Sequence, residues 1–305
     1  FDQIAALEWI KEYVSFFGGD PSNVTLVGES AGAGSIHHLI ASPLSKDLFH
    51  KAVHQSGGSA FTYPTSESEV KNLANKFSES FDDSSIKNLR KISSEDILEV
   101  SEKVYANHYF NYVYDGQSLE KTLSEAYKDE SIQDVDLLVG SNHDEWSLYF
   151  DGNADIDSWL NTETTPKKKL RLLDLLDGVE NPVRKMDLLI TAKNFVCPSL
   201  YMAKRLKERG NKTWVYQFNR VRDGDLAKKY GAFHGAELPY VFDTHDEWLP
   251  TNEKDRELTR EIQSYWLSFA KTGNPNNRDA VTWPEYDSYN DSTLVLDDEI
   301  YQRNH

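Results

Sequence analysis

The chain has 305 residues, with 33 Lys and Arg against 50 Asp and Glu, for a formal net charge of −17. Its 12% aromatic and 39% hydrophobic content exclude a disordered acidic tail, which lacks the apolar surface to offset chain entropy. The acidic balance argues against nucleic acid as a partner, because phosphate binding needs a basic face. No apolar run approaches the roughly 18 residues that a membrane span requires.

Residues 2–17 place Ile4, Leu7, Ile10 and Val14 at helical spacing, with Asp2 as the expected N-cap. The chain opens at Phe1, inside that helix, with neither an initiator Met nor a leader, which implies processing or a missing front. Gly18-Gly19-Asp20-Pro21 ends the helix, and Val24-Thr25-Leu26-Val27 reads as a short buried strand. A turn and a helix over 33–40 follow, then a second strand within 51–58. This strand–helix–strand rhythm belongs to a parallel sheet. Residues 61–135 are polar, acidic and weakly helical, and predict a surface or lid region. Strand signals return at 136–140, 213–218 and 294–296, with helices near 190–208 and 255–271. The simplest organisation is one α/β domain over 1–305 with helical insertions around 61–135 and 151–210. Cys197 cannot form a disulfide within the chain and is expected to be a buried structural thiol; no Cys cluster offers a zinc site.

Gly28-Glu29-Ser30-Ala31-Gly32 fits the G-x-S-x-G pattern between a strand and a helix. Small residues at Gly28, Ala31 and Gly32 are expected because a sharp strand-to-helix turn leaves no room beside the serine. Such a turn lifts the Ser30 hydroxyl out and aims the Ala31 N–H at a developing oxyanion. Serine needs a base. Of nine histidines, His234 fits by chain order, on a loop beyond the 213–218 strand; His37 and His38 lie on the helix behind the nucleophile. The acid belongs on a loop after a strand, where Asp144 and Glu145 stand side by side, and the residues themselves do not choose between them.

These blocks resemble the type-B carboxylesterases of the α/β-hydrolase fold, the group that includes para-nitrobenzyl esterases and cholinesterases. The resemblance runs through Phe17-Gly-Gly-Asp-Pro-Ser-Asn-Val-Thr25, Gly28-Glu-Ser-Ala-Gly32 and Phe49-His-Lys-Ala-Val-His-Gln-Ser-Gly57. It continues through Gly140-Ser-Asn-His-Asp-Glu145, His234-Gly-Ala-Glu-Leu-Pro-Tyr-Val-Phe242 and Phe269-Ala-Lys-Thr-Gly-Asn-Pro-Asn276. It implies a mostly parallel central sheet with helices on both faces, and Ser30 as nucleophile, Glu145 as acid and His234 as base. It also implies an ester substrate and no cofactor or metal. Two departures stand out. Trp146 follows the acid where the family usually has Gly, which is expected to reshape that loop. The family's His-Gly-Gly-Gly-type loop and early strands are absent, so the chain corresponds to the C-terminal part of the family's length. An unstable, inactive isolated polypeptide is therefore expected. The alternatives are a non-catalytic adhesion or binding homologue, or a serine peptidase. The sequons at Asn23, Asn211 and Asn290 leave the compartment open.

Overall fold

The computed structural model describes residues 1–58, 64–106, 108, 110–150, 152, 154–278 and 280–304. Helix α1 (Asp2–Tyr13) buries Ile4 and Leu7, and a tight turn over Val14–Phe17 follows, closed by Gly18 in the left-handed conformation at φ 81°. The cap of α1 is Phe1 rather than Asp2. Asp2 is already helical and makes no side-chain cap, acting only through its charge on the N-terminal dipole.

Strand β1 (Thr25–Glu29) leads into α2 (Ala31–Ala41), and β2 (Lys51–Gln55) follows. Helices α3 (Glu67–Ser78), α4 (Ile86–Leu89), α5 (Ser94–Val104) and α6 (Leu123–Lys128) then precede β3 (Asp136–Asn142). A second helical stretch comprises α7 (Ile156–Glu163), α8 (Pro166–Leu175), α9 (Pro182–Thr191) and α10 (Cys197–Glu208), the last two joined by a π turn over Ala192–Val196. After β4 (Thr213–Phe218) come α11 (Asp225–Tyr230), α12 (Leu238–Phe242), α13 (Glu253–Thr272), β5 (Thr293–Leu296) and β6 (Tyr301–Arg303).

The strands form one sheet in the order β1-β2-β3-β4-β5-β6, parallel from β1 to β5, with β6 antiparallel at the end. Side-chain alternation divides the interior between its two faces. Leu137, Val139 and Val215 face a core shared with Ile36, Ile40, Met202 and Leu206. Leu138, Trp214 and Tyr216 face another core, shared with Ile262, Trp266, Phe269 and Trp283. Covered on both faces, β3 reads as a continuous apolar run.

Two expectations are corrected. Among the described residues β1 pairs with β2 alone, and Val27 is 49% exposed rather than buried. Cys197 is exposed: at the first turn of α10 its neighbours Phe195 and Pro198 take the inward positions, about 100° of helix rotation per residue leaving the thiol outside.

Candidate active site

At the carboxyl end of β1 the chain turns sharply, and Ser30 sits at φ 54°, ψ −114°, a conformation an L-residue adopts only under constraint. The constraint is steric at Gly28, where a Cβ would lie 2.5 Å from the Gly32 carbonyl carbon and 2.9 Å from the Ala33 nitrogen. The same does not hold for Gly32, contrary to expectation. A Cβ there meets nothing within 4 Å, because the residue lies in the first turn of α2 with open space beside it. Helix α2 begins at Ala31, whose amide is among the first-turn N–H groups that a helix cannot satisfy internally.

The structure brings three expected residues into one line. His234 Nε2 lies 2.8 Å from Ser30 Oγ, and Nδ1 lies 2.7 Å from Glu145 Oε2. The chemistry assigns the tautomer: Nδ1–H donates to the carboxylate, leaving Nε2 to accept from the serine. Glu145 is fully buried, and its other oxygen accepts from the Asn142 amide at 2.7 Å. Asp144, the other candidate, points elsewhere, accepting from the Ala232 amide at 2.8 Å and from Arg184. Of the remaining histidines, His37 is buried against His54 and Tyr127, and His305 lies outside the described residues.

Two further carboxylates surround the imidazole. Glu29 Oε1 stands 3.3 Å from His234 Nε2, and burial pushes the Glu29 carboxyl up to about 7. Glu237, one turn beyond His234, is fully buried; burial, and then the charge of Glu145, raise its pKa. It accepts from Asn142 Nδ2 at 2.6 Å and Gln55 Nε2 at 2.9 Å, while Trp266 Nε1 donates to Gln55 at 3.1 Å. Burial alone would lower the His234 pKa. The Glu145 hydrogen bond and charge, with Glu29 and Glu237 beyond, outweigh it and leave the imidazole above its ordinary value. Glu237, Gln55 and Asn142 were not among the residues expected at the site. The signal was a carboxylate in an otherwise apolar stretch, three residues after the expected base.

Trp146 does not disorganise the acid loop. Its ring packs with Tyr149 and Phe195, and its amide donates to Asp187 at 2.9 Å. Phe195 and Tyr149 also flank the His234 ring, at 5.2 and 6.0 Å between centroids. A cavity of about 540 Å³ lies away from Ser30, between the end of α2 and residues 120–134. Among the described residues no group of three His, Cys, Asp or Glu could hold a metal ion, and no helix is long and apolar enough to cross a membrane.

A serine on a strand–turn–helix elbow, at the carboxyl end of a mostly parallel sheet with helices on both faces, defines the α/β-hydrolase fold. The profile of the carboxylesterase family matches residues 1–177 and 174–304, and the chain belongs to that family. It is 31% identical to a para-nitrobenzyl esterase of Bacillus subtilis, over 98% of this chain and 63% of that protein. It is 30% identical to carboxylesterase 1C of Mus musculus, over 94% of this chain and 57% of that one. A solved carboxylesterase of Geobacillus stearothermophilus superposes with a TM-score of 0.84 at 27% identity, covering 99% of this chain and 66% of the other. The chain thus spans about three-fifths of the length of the curated relatives it matches.

Proposed function

We propose that the protein is a serine carboxylesterase that hydrolyses carboxylic esters through an acyl-enzyme on Ser30. The observation that carries this reading is the hydrogen-bonded line from Ser30 Oγ through His234 to Glu145. His234 Nε2 takes the serine proton as Oγ bonds to the ester carbonyl carbon, and the carbonyl π electrons move onto its oxygen. The Ala31 amide, at the start of α2, donates to that oxyanion. Collapse breaks the bond to the alcohol oxygen, which takes the proton from Nε2 and leaves. Water, deprotonated by the same nitrogen, then attacks the acyl-serine, and collapse returns the proton to Oγ. Glu145 holds Nδ1–H and stabilises the imidazolium without taking its proton.

In this reading residues 1–305 belong to one catalytic domain, and the segments around 61–135 and 151–210 are lid-like insertions. The substrate is a small-molecule ester. Ser30→Ala in the full-length protein removes nearly all turnover of a short-chain p-nitrophenyl ester; retention of most activity overturns the assignment. A fluorophosphonate labels Ser30 stoichiometrically, whereas a non-catalytic homologue of the same fold stays unlabelled.

A further inference from the structure

Both residues that flank Glu145 are held by one helix of the second helical stretch. On one side Asp144, 7% exposed, accepts from Arg184 of α9. On the other side the Trp146 amide donates to Asp187, also of α9 and 1% exposed. Arg184 Nη1 bridges the two carboxylates, reaching Asp187 Oδ2 at 2.5 Å, and Nη2 lies 2.9 Å from His143 Nδ1. Thr191 Oγ1 completes the Asp187 shell at 3.4 Å.

Asp144 reaches further. Its amide donates to the Ala232 carbonyl at 3.0 Å, and its Oδ2 accepts from the Ala232 amide at 2.8 Å. This two-way tie joins the loop carrying Glu145 to the loop carrying His234, two residues before the imidazole. One guanidinium therefore sits at the junction of α9, the acid loop and, through Asp144, the base loop.

We propose that Arg184 and Asp187 are positioning residues of the catalytic site, through which helix α9 fixes the reach between Glu145 and His234. The proposal rests on the triad reading above. Removing that cation leaves two largely buried carboxylates without the partner they share, which is strongly unfavourable. Asp144 then rotates, the Ala232 tie slackens, and the peptide units on either side of Glu145 lose their anchors. Displacement on the order of 1 Å at a catalytic group costs about a hundredfold in rate.

The test compares Arg184→Gln with wild type in the full-length protein, with active sites counted by fluorophosphonate titration of Ser30. The expected result is stoichiometric labelling, kcat per titrated site lowered roughly 10- to 100-fold, and KM changed less than about threefold. Arg184→Lys keeps the charge but reaches one carboxylate at a time, so it recovers part of the loss. In a Glu145→Gln background Arg184→Gln adds little, since it acts through that carboxylate. If Arg184→Gln does not fold, Arg184→Lys and Asp187→Asn carry the same comparison with smaller losses. An unchanged kcat per labelled site overturns the positioning role and leaves the triad standing. Wild type that fails to label at Ser30 overturns both.

Discussion

The two helical stretches inserted between strands differ in what they touch. In the first, α3, α4 and α5 bury no residue at all, and only α6 joins the core, through Leu123, Ala126 and Tyr127. Each of α3, α4 and α5 is started by a serine, with Ser66, Ser85 and Ser93 accepting from the amides of Glu69, Asn88 and Asp96. Their aromatic contacts are among themselves, such as Phe77 stacked on Tyr105 at 5.8 Å. In the second, Leu160, Leu176 and Leu189 form a core of their own, and α10 buries Met202, Ala203 and Leu206 under the sheet. Helix α9 then grips the acid loop. Caps and charge suffice to write a helix, but only long-range contacts connect it to chemistry.

The largest effect tests that connection. On the proposed mechanism Glu145→Gln keeps the shape but withdraws the charge that would stabilise the imidazolium, and should lower kcat about a thousandfold or more. Leu98→Ala in α5, a side chain 60% exposed, should leave kcat unchanged. A comparable loss from Leu98→Ala, measured as ester turnover per titrated serine, would break the contrast.

Stability should separate the stretches next. Leu160 is fully buried among Trp159, Leu172 and Leu188, so Leu160→Ala removes apolar contacts and leaves a cavity, costing about 2–5 kcal/mol. Leu98→Ala should stay within about 0.5 kcal/mol. Denaturant unfolding reads both, and equal costs would mean that the first stretch is packed more tightly than its exposure implies.

What the sequence revealed follows the same division. The elbow, the five parallel strands and the helix expected near 255–271 were legible because period, turn chemistry and small residues are local codes, whereas the short β6 was not read. Between Asp144 and Glu145 the residues were silent, since the choice is made by where Ala232, Arg184 and His234 arrive from distant segments. Cys197 misled for a related reason, because an apolar stretch does not say which residue the π turn rotates outward. Arg184 carried no signal at all, as a cation in an amphipathic helix is ordinarily solvated.

Acid should act on the sheet rather than on either insertion. His54 of β2 is fully buried with no hydrogen-bond partner on either ring nitrogen among the described residues, and burial lowers its pKa to about 4. The buried His37 ring, set edge-on to it at 5.6 Å, is likewise shifted well down by burial. A base whose folded pKa is depressed stays neutral while the unfolded chain takes up the proton. Stability is therefore complete above the unfolded value of 6.5 and falls as pH drops from there towards 4. His54 alone contributes roughly 3 kcal/mol to that loss. Unfolding free energies at pH 7 and pH 4.5 should show it, and His54→Gln should flatten the slope; an unchanged slope would mean that His54 is protonated in the folded state.

The smallest effect probes the first stretch on its own terms. Ser93→Ala removes the acceptor for the Asp96 amide at the start of α5, and a lost cap costs about 1 kcal/mol. Because α5 buries nothing, that cost should appear as local fraying and not as a lower global unfolding free energy. Amide exchange should quicken about fivefold over 94–104 while the amides of β3 and β4 keep their protection. Ester turnover should not change, since none of the contacts that hold Glu145 passes through α5. If β3 exchanged faster as well, α5 would be coupled to the sheet as α6 is, and the outer helices of the two insertions would differ in degree rather than in kind.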